Sequence, residues 1–136
     1  MNWKNEEECL VVVKQNGLTL QYVKKQTLEL CLAAVRQNGC ALKFVDCQTE
    51  EICLVAVKQD CWALQFVKEQ NDEICLAAVR QDGYALKFVK KQNNEMCSTA
   101  IEQNSNALKY VDKNKFIDVF LYHKLLYSSR LINGLE

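Results

Sequence analysis

Five cysteines, Cys9, Cys31, Cys53, Cys75 and Cys97, stand 22 residues apart, and the residues around each recur with the same period. In register, the copies run Asn5 to Gln26, Thr27 to Gln48, Thr49 to Gln70, Asn71 to Gln92 and Asn93 to Asn114. Their shared pattern is N/T-x-E-x-C-x-x-x-V/I-x-Q-N/D-x-x-x-L-x-F/Y-V-x-x-Q/N. Self-similarity at a fixed period marks a stacked array, in which each unit is too small to bury its own apolar face and is completed by its neighbours.

Each copy opens with Asn or Thr and places Glu two positions later. The first side chain can accept orphan N–H groups, and the carboxylate suits the positive first turn, so a helix starts there. A cation follows late in that helix in four copies (Lys14, Arg36, Lys58, Arg80), where it suits the negative end. Gly17, Gly39 and Gly83 then offer the left-handed conformation that ends a helix, while Cys61 and Ser105 at the same position predict two turns closed differently. After the turn, "ALKFV" in the second copy predicts a second amphipathic helix, each helix being about 8 to 10 residues long. Helices that short are marginal alone and depend on stacking.

Two β architectures fit less well. Asn-Gly is a hairpin signal, but adjacent apolar pairs such as Ala34 with Val35 and Ala41 with Leu42 break strand alternation. The L-x-x-L-x-L-x-x-N pattern of leucine-rich repeats occurs in no copy. The expected fold is therefore all-α: a solenoid-like array of short helix pairs over residues 5–114, after an N-terminal extension at 1–4 and before a C-terminal capping helix and tail at 115–136. Phe116, Ile117, Val119, Phe120, Leu121, Leu125 and Leu126 make that last segment strongly apolar, and residues 116, 120 and 123 to 127 can share one helical face. A membrane-surface helix is the second reading of it, weakened by few basic residues.

Seventeen basic and seventeen acidic residues balance, so no net field draws the chain to nucleic acid, an anionic membrane or an acidic substrate. No stretch has the apolar length of a signal-peptide core or a membrane span, which predicts a cytoplasmic protein with reduced cysteines.

The words "AAVRQNGCALKFV" and "AAVRQDGYALKFV", with "VVVKQNGLTLQYV" as a looser version, resemble an uncharacterised two-helix repeat family best represented in mimivirus-like giant DNA viruses. The resemblance covers Asn5 to Asn114 and implies a helical array, a viral source in host cytoplasm or virion, and no established activity. It carries no functional residues over.

No catalytic, cofactor or metal constellation emerges. The ladder cysteines are read as small core thiols held apart by the repeat. Cys40, Cys47 and Cys61 lie off the ladder and are expected to be more accessible; they support the alternative function, a thiol-dependent enzyme or redox protein. The aromatic ladder Tyr22, Phe44, Phe66, Phe88 and Tyr110 is read as core, so that Phe66→Ala should cost about 3 to 5 kcal/mol. A base-stacking platform would need interleaved basic residues and a positive field. Gln15, Gln37, Gln59, Gln81 and Gln103 are read as amides that satisfy the turn carbonyls, and Glu7, Glu29, Glu51, Glu73 and Glu95 as complements to their own helix N-termini. His123 is read as structural.

Recognition in a repeat scaffold is written where the copies differ. The position after the glycine reads Leu18, Cys40, Trp62, Tyr84, Asn106, which marks Trp62 and Tyr84 as candidate partner-binding residues, with rings folded over the next turn as the competing reading. Ser98 and Thr99 give the fifth copy the polar drift of a terminal repeat, whereas Val11 and Val12 leave the first copy an apolar edge unless Trp3 covers it. The predicted function is a non-catalytic scaffold for a protein partner or self-association, with neither nucleic acid nor membrane as partner.

Overall fold

The computed structural model describes residues 3–133; the expectations that fall on residues 1–2 and 134–136 lie outside them. Five α-helices of equal length alternate with five 3-10 helices: α1 (Glu6–Gln15), α2 (Leu28–Gln37), α3 (Glu50–Gln59), α4 (Asp72–Gln81) and α5 (Asn94–Gln103), followed respectively by Gly17–Tyr22, Gly39–Phe44, Cys61–Phe66, Gly83–Phe88 and Ser105–Tyr110. A longer helix, α6 (Ile117–Asn133), closes the chain. There is no strand among the described residues, and none of their helices is long and apolar enough to cross a membrane.

The helix starts follow the sequence. Asn5, Thr27, Thr49, Asn71 and Asn93 are N-caps whose side chains accept backbone N–H groups of the first turn, from Glu7, Leu30, Ile52, Ile74 and Met96. Three caps also reach the preceding copy: the Thr27 hydroxyl donates to Glu6 (2.8 Å), and the Asn71 and Asn93 amides donate to Glu50 (2.7 Å) and Asp72 (3.4 Å).

Two expectations are corrected. The second helix of each pair is a six-residue 3-10 helix rather than an α-helix of 8 to 10 residues. At about 2.0 Å per residue, six residues cover about 12 Å, close to the 15 Å or so of a ten-residue α-helix, so a short return path spans its partner. The i, i+3 eclipse of that geometry lines up Gly39, Leu42 and Val45 as one buried ridge and leaves Lys43 exposed. The second correction concerns the turn, since no described glycine has positive φ. The chain reverses instead at an extended Asn or Asp (Asn16, Asn38, Asp60, Asp82, Asn104; φ between −146° and −150°), whose side chain accepts from the N–H two residues on.

Glycine is needed after that turn for close approach. A Cβ on Gly39 would land on the Ala56 carbonyl oxygen of the next copy.

Each of α2 to α5 packs on the α-helices before and after it, on its own 3-10 helix and on the 3-10 helix of the preceding copy. Leu20, Leu42, Leu64 and Leu86 are completely buried along the 3-10 row, as are Val13, Val35, Val57 and Val79 along the α row. No described polar or charged residue is buried, and no buried side-chain nitrogen or oxygen lacks a partner among the described residues. The array ends against α6, where Phe116, Val119 and Phe120 pack on the core and α6 touches α5 and the last 3-10 helix.

Candidate functional site

The copies are joined by two sets of glutamines. The last residue of each of the first four copies, Gln26, Gln48, Gln70 and Gln92, reaches the far end of the next 3-10 helix. There its amide donates to the carbonyls of Phe44, Phe66, Phe88 and Tyr110 at 2.7 to 2.8 Å. Its oxygen accepts from the N–H groups of Asp46, Lys68, Lys90 and Asp112 at 2.9 to 3.0 Å. The ladder thiols Cys31, Cys53, Cys75 and Cys97 donate to the same oxygens at 3.5 to 3.6 Å. The cysteine period is thus tied to a clamp that closes both orphan groups of a 3-10 end. Four identical glutamines at one position were the available signal for it.

The second set modifies the expected role of the turn amides. Gln37, Gln59 and Gln103 serve the preceding copy, and their oxygens accept from the N–H groups of Gly17 (2.7 Å), Gly39 (2.5 Å) and Gly83 (2.7 Å). Gln81, opposite Cys61, donates instead to the carbonyls of Val57 and Lys58, each at 2.9 Å. The turns at Cys61 and Ser105 nevertheless keep the extended Asp or Asn geometry of the other three, so the expectation that they close differently fails for the backbone, and only the glutamine contact changes at Cys61.

Cys61, Cys40, Cys75 and Cys97 sit where their thiolates are disfavoured. Cys61 is buried, against expectation, because it fills the close-packed glycine position. Burial, with Asp82 and Asp60 adding to it, raises its pKa. Cys40 is partly buried and donates to Asp60 at 3.5 Å; burial and that carboxylate raise its pKa against the opposing effect of Lys43. Burial pushes Cys75 and Cys97 up to about 11, with Asp72 and Asp112 adding to it and Lys90 opposing it at Cys75. An activated thiol needs the opposite environment, since the thiolate is the nucleophile. Cys47 is exposed. Thiol labelling at pH 8 should give one fast phase, lost in Cys47→Ser, while Cys75 and Cys97 wait for unfolding because both are buried, and their raised pKa slows them further. A fast phase that survives Cys47→Ser would revive thiol chemistry.

Trp62 and Tyr84 are half-buried, each ring set edge-on against the next copy's aromatic: Trp62 on Phe88 at 5.5 Å and Tyr84 on Tyr110 at 5.8 Å. Lysines interleave this row, an arrangement the neutral composition conceals. Lys87 stands 4.7 Å from the Trp62 ring and 4.8 Å from Phe88, and Lys109 stands 5.1 Å from both Tyr84 and Tyr110. The aromatic ladder is consequently a half-buried seam, with Tyr22 mostly exposed, rather than a core.

At the ends, Trp3 lies on Tyr22 (5.6 Å) and leaves Val11 58% exposed, while Val12 is half-buried. On α6, Leu125 is 70% and Leu121 46% exposed, and Tyr122, Ile117 and Leu126 are exposed beside them. His123 is half-buried and lines the space between α6 and the fifth copy.

A family model described as a domain of unknown function (DUF4116) matches residues 5–46, 27–71, 49–93 and 71–116. Each match spans two adjacent copies, and each begins one repeat after the last. Neither the curated proteins nor the solved structures contain a match.

Proposed function

We propose that this chain, which belongs to the DUF4116 family of domains of unknown function, is a non-catalytic helical-repeat scaffold that joins a protein partner or further copies of itself through the ends of its array. One observation carries this reading. The exposed large apolar residues (Val11, Tyr22, Leu28, Ile117, Leu121, Tyr122, Leu125 and Leu126) all belong to the first copy, the start of the second, or α6, and the third to fifth copies contribute none among the described residues. Apolar area concentrated at two ends marks sites of association, because each such side chain removed from water contributes about 1.5 to 3 kcal/mol. The array between them spends its inter-copy amides on holding its own spacing and acts as a spacer of fixed length.

Trp62 and Tyr84 join this reading through the part of each half-buried ring that remains exposed. Val11 and Val12 supply the first end, and α6 supplies the second. A membrane-surface role for α6 competes with protein contact, since its exposed apolar residues would suit either. A viral source, with host cytoplasm or virion as the location, is part of this proposal and is supported by the resemblance of the repeats to those of giant viruses.

Sedimentation of the original chain and of a Leu121→Lys, Leu125→Lys double variant tests the reading. Both positions are exposed, so folding should be unaffected. Self-association, or capture of a protein partner, is expected for the original and should be lost in the variant. An original chain that stays monomeric at high concentration and captures nothing, or a variant that behaves identically, would sink the proposal.

A further inference from the structure

The groove between the last 3-10 helix and α6 has a volume of about 580 Å³, the size of a small-ligand site. Lys109, Lys113, Lys124 and His123 line it together with the rings of Tyr84 and Phe120, and no carboxylate does. Lys113 and Lys124 stand 4.8 and 5.8 Å from the Phe120 ring, and Lys109 stands 5.1 Å from Tyr84. These contacts hold three ammonium groups at the groove. Among the described residues the one ion pair is Arg80 with Glu95, neither of which lines the groove. The groove therefore gathers positive charge with no anion of its own, although the chain as a whole is neutral.

We propose that this groove binds a compact polyanion carrying two or more phosphate groups. Several ammonium point charges on flexible stems suit the distributed charge of linked phosphates, which lysine takes up well. Lysine binds phosphate as a point charge without the planar fork of arginine, and the groove is lined by three lysines and no arginine. A long nucleic-acid strand would favour an unbroken basic track, whereas toward the first copy the same row is interrupted, with Gln65, Lys43 and Gln21 following Lys109 and Lys87. The inference goes beyond the scaffold reading and, Tyr84 apart, uses other residues.

Titration calorimetry with sodium tripolyphosphate tests it. The original chain should bind at one site, a Lys113→Gln, Lys124→Gln double variant should bind at least about tenfold more weakly, and Lys43→Gln, on a ring outside the groove, should bind as the original does. Leu121→Gln, which adds no charge beside the groove, should also bind as the original does, which separates this proposal from end-to-end association. Should the double variant melt early, exposed Lys124→Gln alone is read in its place. Tighter binding of ATP would identify a nucleotide as the source of the phosphates. Tighter retention on phosphoinositide-bearing vesicles would identify a lipid headgroup, and either result supports the site. Absence of heat with tripolyphosphate, unchanged affinity in the variants, equal affinity for polyglutamate, or affinity that climbs with single-stranded oligonucleotide length would each overturn it.

Discussion

A Leu64→Ala chain should lose about 3 to 5 kcal/mol of stability, and Phe66→Ala, two residues on, only about 1 to 3 kcal/mol. Leu64 is completely buried in the middle copy, where its 3-10 helix packs on α3, on α4 and on the 3-10 helices to either side. Truncation leaves a cavity that walls of fully buried side chains cannot collapse to fill. Phe66 sits higher in the seam, half-buried, with Lys43 5.8 Å from its ring. Part of that ring is in water already, so removing it forfeits less than its size suggests. Urea melts followed by circular dichroism check the order. The Leu64 variant should also broaden or split its transition, because cutting the middle of a nearest-neighbour array uncouples its halves. A Phe66 variant weaker than the Leu64 variant would return the aromatic ladder to the core.

That reversal shows where the sequence was readable. Residues acting on their own segment were legible: the Asn and Thr caps, the cation late in four of the five repeat helices, and the 22-residue unit itself. Position-by-position periodicity said that Leu42, Phe44 and Val45 are apolar, but α and 3-10 geometries turn them to different depths. The decisive signal, three-residue spacing of Gly39, Leu42 and Val45, becomes clear only when the tight helix is seen. The two glutamine ladders were visible as invariance among copies, and their direction was not. Gln70 acts on Phe88 and Lys90 of the next copy, a partner 18 to 20 residues away that no local rule selects. The lysine groove was hidden more deeply. It depends on where the non-periodic α6 docks, and so Lys124 meets Lys109 through tertiary packing alone.

The glycine position gives the other large effect. Gly39→Ala should cost about 2 to 4 kcal/mol, from overpacking and from loss of the bond between its N–H and Gln59. The added methyl would meet the Ala56 carbonyl, which α3 holds in place by the bond from Asp60 at 2.9 Å, so the two copies must separate. The third copy shows the form such a separation takes: Cys61 occupies this position, and Gln81 has left the turn N–H for the carbonyls of Val57 and Lys58. The reciprocal change, Cys61→Gly, should therefore be mild, within about 1 kcal/mol, because the lost thiol burial and the flexibility of glycine are offset when Gln81 can swing back onto the turn. Chemical denaturation gives both energies, and hydrogen exchange at residue 61 reports the new bond as slowed exchange in Cys61→Gly. Equal costs for the two substitutions would mean that the array tolerates a Cβ anywhere along this seam. Close approach would then not be the reason that Gly17, Gly39 and Gly83 stand where they do.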